Sequence, residues 1–321
     1  MKSACGDFMK ARQERSAAGY VGVTLRGMCM GAADVVPGVS GGTMAFILGI
    51  YQELIEAIRS VNANFLRTLL SFRLKEALSL IPWKFLGALV IGILFAVFSL
   101  AKLLAWLLEY KPVFLWSFFF GLILASILTV GRNLEKRNLT ALLWAAFGAA
   151  GAYFLVGMVP VNTPEAPWFL FLSGAVAICA MILPGISGSF ILLLLGKYHF
   201  VLAAVNERNF LVLAVFTAGA VFGITSFSRL LSWLLRKQHD VTIALLLGLM
   251  LGSLRKVWPW KKTLATTLDL HGNTIPLTEI NLLPSQWNGE VGLAFTLAAI
   301  GFMAVLSLEF WASQTKGPKT P

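Results

Sequence analysis

The chain has 321 residues, of which 58% are hydrophobic and only 13% are charged, whereas about a quarter of the residues in a soluble domain are charged. This composition excludes an ordinary soluble domain and predicts an integral membrane protein with several spans. The formal net charge is +11, and the basic residues are scattered among loops between apolar runs. This distribution favours cytoplasmic loops and contacts with anionic membrane lipids over nucleic-acid binding.

The first predicted elements are a polar tail and an interrupted apolar segment. Residues 1–19 are mixed in charge and lack the apolar core and cleavage site of a signal peptide, so we expect a cytoplasmic tail. Residues 21–58 are apolar but are broken by Pro37 and neighbouring glycines, which end a helix. Each arm then has about 14 residues, roughly 20 Å, which is too short to cross about 30 Å of hydrocarbon. We therefore predict a re-entrant helical hairpin.

Six further stretches are apolar and long enough to cross the bilayer as helices. In chain order they are residues 82–108, 112–130, 139–159, 209–235, 241–254 and 291–312. Between the third and the fourth lies a second interrupted segment, 168–198, whose break at Pro184 predicts a second re-entrant hairpin. The stretch 241–254 is short, so we expect its helix to continue past Arg255. Residues 313–321 form a C-terminal tail.

The two halves of the chain are related by an internal repeat. At an offset of 127 residues, 98–108 aligns with 225–235 and 120–126 aligns with 247–253. The broken segments align at an offset of 147, because a charged stretch, 59–80, is present only in the first copy. Their identical pairs include Gly27 and Gly174, Pro37 and Pro184, Gly38 and Gly185, Ser40 and Ser187, Gly41 and Gly188, Leu48 and Leu195, Gly49 and Gly196, and Tyr51 and Tyr198.

We therefore predict repeat 1 at residues 20–159 and repeat 2 at residues 168–312. Each repeat holds one hairpin and three spans, and an odd number of crossings inverts the second copy. The predicted fold is an all-α integral membrane protein with an inverted-topology repeat, which places a substrate near the midplane and supports alternating access. The alternative is a duplicated structural protein with closely packed glycines. Close packing does not explain why Pro-Gly-x-Ser-Gly recurs in the middle of both hairpins.

Basic residues predict the orientation. If both hairpins return to the side from which they insert, the loops on the side of the N-terminal tail carry about twice as many Lys and Arg as the opposite loops, and such loops are cytoplasmic. Both termini are then cytoplasmic. Arg255, Lys256, Lys261 and Lys262 do not fit this pattern, because the orientation places them outside.

The tips of both hairpins have the chemistry of an anion site. The helix that follows each Pro-Gly turn begins with unpaired amides and a partial positive charge, which favour phosphate. Serine and threonine hydroxyls there cap the helix or contact the ligand, and the two roles are compatible. The predicted phosphate-binding residues are Gly38, Ser40, Gly41, Gly42 and Thr43 in the first tip and Gly185, Ser187, Gly188 and Ser189 in the second.

Four charged residues lie inside or at the edge of apolar segments, where charge is costly and often functional. Lys102 and Arg229 are equivalent in the repeat, so each half offers one cation that either binds phosphate or extends to a lipid headgroup. Arg26 is a further candidate for phosphate binding. Asp34 has no acidic counterpart in the second repeat and either pairs with Arg26 or titrates as a coupling site.

The segment from Arg26 to Tyr51, RGMCMGAADVVPGVSGGTMAFILGIY, resembles the signature of a prokaryotic membrane family. That family was long described as a domain of unknown function and is now described as polyprenyl-phosphate transporters. The resemblance extends over about residues 20–312 and is reinforced by the second Pro-Gly-Ile-Ser-Gly block, which departs from the first at Met181 and Phe190. It implies a flippase in the bacterial cytoplasmic membrane that returns undecaprenyl phosphate to the inner leaflet for cell-envelope synthesis.

Two other functions are alternatives to the lipid transporter. Helix termini of this kind could also serve a secondary transporter or channel for a small soluble anion. A lipid phosphatase or transferase would need a nucleophile or a carboxylate-bound metal, and the predicted spans hold no histidine and no acidic pair at metal-ligand spacing. We therefore expect no enzymatic activity, no metal and no cofactor. The sequence carries no signal of the driving ion or of the oligomeric state.

Overall fold

The computed structural model describes residues 16–35, 39–61, 63–132, 134, 138–161, 163–268, 274–284 and 286–315. The described chain is predominantly helical and carries one two-stranded antiparallel sheet. The first half contains eight described helices: α1 (Ala17–Val35), α2 (Gly41–Ile47), α3 (Tyr51–Ser60), α4 (Ala63–Leu70), α5 (Leu74–Leu80), α6 (Trp83–Tyr110), α7 (Pro112–Arg132) and α8 (Leu139–Val156).

The second half repeats this order without counterparts of α4 and α5. Its described helices are α9 (Pro167–Ile182), α10 (Gly188–Leu194), α11 (Tyr198–Asn206), α12 (Phe210–Lys237), α13 (His239–Ser253) and α14 (Gly289–Thr315). The strands β1 (Lys261–Leu268) and β2 (Thr274–Asn281) lie between α13 and α14. The bounds of α2 and α10 differ by the offset of 147, and those of α6 and α12 differ by the offset of 127.

Five described helices, α6, α7, α8, α12 and α14, are long and apolar enough to cross a membrane. The number is six if the bent pair α10 and α11 forms one span. Because apolar helices of this length are typical of membrane spans, the chain is a multi-pass membrane protein.

Glycines allow the helices to pack in closely spaced pairs. In the pair α1 and α6, a methyl group on Gly27 would fall on the carbonyl oxygen of Leu89, and in the pair α9 and α12 one on Gly174 would fall on that of Phe216. Gly174 and Phe216 are the equivalents of Gly27 and Leu89 at the two repeat offsets. The same helix contact therefore occurs in both halves, as the duplication predicts.

A second set of helix pairs joins the two halves to each other. Helix α7 packs against α14, where Gly121 contacts the backbone of Ala298. Helix α13 packs against α8, where Gly248 contacts the backbone of Ala145. Helices α7 and α13 are equivalent in the repeat, and so are α8 and α14. In each contact, therefore, the second-to-last helix of one half packs against the last helix of the other half. The inverted insertion of the two copies stays a prediction.

The two interrupted segments differ from the predicted hairpins in their arms. The leading arms α1 and α9 have 19 and 16 residues, more than the predicted 14. Each returning arm is two short helices, because Gly49 and Gly196 adopt positive φ angles of 69° and 64°, a conformation that glycine adopts readily and that ends a helix. The axes of α10 and α11 meet at 104°.

The chain after α13 also departs from the prediction. The amides of Leu254, Arg255 and Lys256 bond to carbonyl groups three residues earlier, so the helix tightens into a final turn and Pro259 follows. The expectation that this helix continues past Arg255 is therefore wrong. Strands β1 and β2 pair from Lys261 with Asn281 to Leu268 with Thr274, which adds a β-hairpin that the all-α prediction did not contain.

Candidate functional site

The two hairpin tips are in direct contact. The hydroxyl of Ser40 donates to the carbonyl oxygen of Met181 at 3.1 Å, and the amide of Gly185 donates to Oγ1 of Thr43 at 2.8 Å. Ser40 is 1% exposed and Thr43 is fully buried. Two hydrogen bonds between residues 141 and 142 positions apart therefore join the first tip to the second.

The first tip is closed by its own side chains. Ser40 is the N-cap of α2, and its Oγ accepts a hydrogen bond from the amide of Gly42 at 3.1 Å. Oδ1 of Asp34, at the end of α1, accepts from the amide of Gly41 at 2.6 Å. A carboxylate therefore occupies the position that a phosphate oxygen would take on the Gly41 amide.

The second tip is open by comparison. Met181 takes the place of Asp34 and lies against Gly188, the equivalent of Gly41. Among the described residues, the N-cap Ser187 makes no side-chain hydrogen bond to the amides of α10, and its hydroxyl instead contacts that of Ser189 at 2.8 Å. Ser189 is exposed. The tips thus differ at Asp34 and Met181, a carboxylate in the first and a thioether in the second, and in the contacts of their N-cap serines.

Gly185 allows the second tip to pack closely against α13. Its φ of 90° lies in the region that favours glycine. A β-carbon there would lie 2.8 Å from Oγ of Ser253 and 2.9 Å from the carbonyl oxygen of Leu249. The tip therefore rests on the C-terminal turns of α13, close to the start of the basic loop, which we define as residues 255–262.

Several predicted site residues lie away from the tips. Arg26 is half-buried on α1, eight residues before Asp34 and about 12 Å along the helix axis. No ion pair joins Arg26 to Asp34 in the described chain. Lys102 and Arg229 are exposed on α6 and α12, and no hydrogen bond joins either to a described tip residue. Gly38 lies outside the described residues.

The sequence interpretation missed a buried cation in the second hairpin. Lys197 is 2% exposed, and its Nζ donates to the carbonyl oxygen of Thr163 at 2.9 Å. Nζ also lies 5.7 Å and 5.6 Å from the ring centroids of Phe169 and Phe200. Lys197 thereby ties the chain before α9 to the break between α10 and α11. A lysine directly after Gly196 in an apolar run was the available signal.

One histidine bears on the prediction that the spans hold no histidine. His199 belongs to α11, and both of its ring nitrogens are buried without a hydrogen-bond partner among the described residues. The bent pair of helices that contains it is a candidate span, so the prediction that no span holds a histidine depends on how this pair is counted.

The basic loop and the β-hairpin form a compact polar cluster. Nζ of Lys256 and Nζ of Lys261 lie 3.3 Å and 3.6 Å from Oε2 of Glu279, and Nζ of Lys261 lies 4.2 Å from the ring centroid of Trp116. Burial lowers the pKa of Lys261 to about 8, although the Glu279 carboxylate opposes this shift. Nζ of Lys256 lies 5.4 Å from the ring centroid of Phe190 in α10, which connects the cluster to the second tip.

An open cavity of about 520 Å³ lies beside this cluster. Its walls come from α7, α8, the end of α13 and the β-hairpin, and its polar side chains include Arg255 and Asn281. Nη1 of Arg255 donates to the carbonyl oxygen of Tyr153 at 2.9 Å, and the guanidinium carbon lies 4.4 Å from the ring centroid of Tyr153. The guanidinium group thus forms one wall of the cavity.

Comparison with known proteins identifies similar chains. Residues 30–275 match the model of an undecaprenyl phosphate translocase-like family. The chain is 46% identical over 305 residues to a polyprenyl-phosphate transporter of Vibrio cholerae, which covers 92% of this chain and 98% of the relative. It is 32% identical over 253 residues to a polyprenyl-phosphate transporter of Staphylococcus aureus, which covers 73% of this chain and 85% of the relative. No solved structure matches the chain.

Proposed function

The chain belongs to the undecaprenyl phosphate translocase-like family, and we propose that it returns undecaprenyl phosphate from the outer to the inner leaflet of the bacterial cytoplasmic membrane. The observation that carries this proposal is 46% identity to a polyprenyl-phosphate transporter along 98% of that protein. Carrier lipid recovered in this way would re-enter cell-envelope synthesis. No enzymatic step, metal or cofactor is part of the proposal.

The proposed architecture has two copies, residues 20–159 and 168–312, inserted in opposite orientations with both termini in the cytoplasm. The tail at 1–19 and the segment 313–321 then lie inside, and the hairpins at 21–58 and 168–198 enter from opposite sides. Support comes from the glycine contacts that recur at the repeat offsets and from the hydrogen bonds between the tips. In this arrangement a substrate at the tips is reached alternately from each side.

The two tips would handle the phosphate in succession. Ser187 does not cap the amides of the second tip, which also carries two hydroxyl groups, on Ser187 and Ser189, so we propose that the headgroup binds there before it reaches the first tip. The first tip would take the phosphate only when the Asp34 carboxylate leaves the Gly41 amide, because two anions repel each other on one donor. Asp34 would thus act as a competitor of the headgroup, and its protonation would couple transport to a proton.

The three candidate cations would act before the tips do. Lys102 and Arg229 are exposed on equivalent helices, which the inverted arrangement would place near opposite faces of the membrane. Arg26 is half-buried on α1, the helix that carries Asp34. We propose that these side chains attract the headgroup, while the isoprenoid chain stays in the lipid. A groove that is open sideways would suffice for such a substrate.

The test is the exposure of undecaprenyl phosphate on the outer leaflet of cells that lack the protein. We expect exposure to rise, to return to normal with the wild-type chain, and to stay high with Ser40→Ala or Arg229→Ala. Uptake of inorganic phosphate in the same cells tests the alternative of a small soluble anion. Unchanged lipid exposure together with reduced phosphate uptake would contradict the lipid proposal.

A further inference from the structure

The basic loop conflicts with the orientation that the other loops indicate. Arg255, Lys256, Lys261 and Lys262 would lie outside, whereas basic loop residues are usually cytoplasmic. Basic residues on the outer side oppose the orientation that the other loops favour, so these four residues need a different functional explanation. The described structure shows two features beside this loop that suggest one, a guanidinium group at the wall of a cavity and a row of aromatic rings.

The cavity offers the guanidinium group for a ligand. Arginine has five N–H donors, and among the described residues the Arg255 side chain donates one hydrogen bond, to the carbonyl oxygen of Tyr153. The nearest acidic side chain of the cluster, Glu279, pairs with Lys256 and Lys261 instead. Arginine binds phosphate through paired, parallel hydrogen bonds. A volume of about 520 Å³ is within the range of small-molecule sites.

Aromatic rings continue from this cavity to the outside of α14. Phe120 and Trp258 line the cavity and lie 5.5 Å apart between ring centroids. Trp260 lies 5.9 Å from Trp258 and 5.8 Å from Phe295, which stacks on Trp287 at 6.1 Å. Trp287 is 79% exposed. We call these five residues the aromatic row. Tryptophan is enriched at the membrane interface, so the row offers an apolar path at the level of lipid headgroups.

The cavity and the second tip share one helix end. Gly252 and Arg255 border the cavity, while Ser253 contacts Gly185 of the tip. Lys256 follows directly and lies over Phe190 in α10. A headgroup in the cavity would therefore be separated from the second tip by the last turn of α13.

We propose that this cavity is a capture site for the phosphomonoester headgroup of an isoprenoid lipid, with the first isoprene units lying along the aromatic row. Arg255 and Asn281 hold the phosphate, and Lys256 leads it toward the second tip. The inference rests on the proposed function and deepens it, since it assigns the outer basic loop to substrate recognition. It also accounts for the exception to the positive-inside rule.

Arg255 has a structural role as well, because its guanidinium group lies against Gly157 at the C-terminal end of α8, where a cation is favourable. Arg255→Lys keeps this charge but loses the forked donors, whereas Arg255→Gln loses both. Arg236→Gln, an exposed arginine in the last turn of α12, is the matched control. Trp258→Phe keeps an aromatic ring at the cavity, and Trp258→Ala removes it.

The test is isothermal titration of the purified full chain in detergent with geranyl phosphate, a ten-carbon isoprenyl phosphomonoester. We expect geranyl phosphate to bind at least tenfold more tightly than geraniol, inorganic phosphate or phosphatidic acid. Arg255→Gln should weaken its binding at least tenfold and Arg255→Lys severalfold, with Arg236→Gln unchanged. Trp258→Ala should weaken it more than Trp258→Phe does. The lysine variant decides the result if the glutamine variant does not fold.

Transport of polyprenyl phosphate by the same proteins in vesicles separates the two proposals. A wild-type chain that transports the lipid, together with Arg255 variants that bind geranyl phosphate normally, would overturn the capture site alone. Equal binding of phosphatidic acid and geranyl phosphate would overturn the isoprenoid assignment. A wild-type chain that transports no polyprenyl phosphate would overturn the proposed function and this inference with it.

Discussion

Replacing Thr43 by valine tests the contact between the tips. Valine has nearly the same shape as threonine but no hydroxyl, so the amide of Gly185 loses the acceptor that now lies 2.8 Å away. Both residues are buried, and a buried donor without a partner costs about 1–3 kcal/mol. In domains of 150–250 residues each kcal/mol lowers the unfolding midpoint by about 2–4 °C. We therefore expect a midpoint several degrees below that of the wild type.

The same change should slow transport, because 1–3 kcal/mol corresponds to a factor of about 5 to 150 in the population of the conformation with joined tips. Initial rates of polyprenyl-phosphate transport in vesicles measure this effect. Thr43→Ser keeps the hydroxyl and is the matched control, which should stay within about threefold of the wild type. If Thr43→Val unfolds and transports like Thr43→Ser, the hydrogen bond between the tips has no role and the reasoning is refuted.

Three further changes test other parts of the site. Asp34→Asn removes the competing charge, so the half-saturating lipid concentration should fall severalfold. It also removes the group proposed to couple transport to a proton, so the maximal transport rate should fall severalfold as well. Unchanged kinetics would exclude competition. Gly185→Ala adds a methyl group at a positive φ and against Ser253, which should abolish most transport, whereas Gly87→Ala, with open space around it, should transport normally; equal rates would contradict the tight fit. Because the pKa of Lys261 is lowered to about 8, the folded state binds fewer protons than the unfolded state between about pH 8 and 10, and stability should rise with pH there. Lys261→Met should lack this rise in thermal-unfolding scans, and identical pH profiles would count against a buried cation.

The sequence predicted the elements that repeat. The Pro-Gly-x-Ser-Gly blocks and the two offsets located the two helix breaks, and the structure joins Thr43 of one block to Gly185 of the other. The recurrence of a helix-breaking pattern in two apolar segments was sufficient for this prediction, since it depends only on local backbone preferences. The Leu-Gly pairs at Gly49 and Gly196 were visible in the same alignment. Their positive φ angles were not, because glycine adopts either sign.

Contacts between distant residues could not be predicted from one sequence. Asp34 was recognised as unusual, but its bond to the Gly41 amide depends on how α1 turns back onto α2. The burial of Lys197 depends on the carbonyl oxygen of Thr163 and on rings from two helices. The cavity at Arg255 is built from four separate segments. Each of these features arises from packing between elements and leaves no periodic pattern in the chain.

The most direct measurement is the movement of a fluorescent polyprenyl phosphate between the leaflets of vesicles that contain only the purified chain. We predict that the lipid moves faster than in protein-free vesicles and that unlabelled polyprenyl phosphate competes with it, while inorganic phosphate is not transported. Lipid movement at the rate of protein-free vesicles, with transport of inorganic phosphate, would contradict the account.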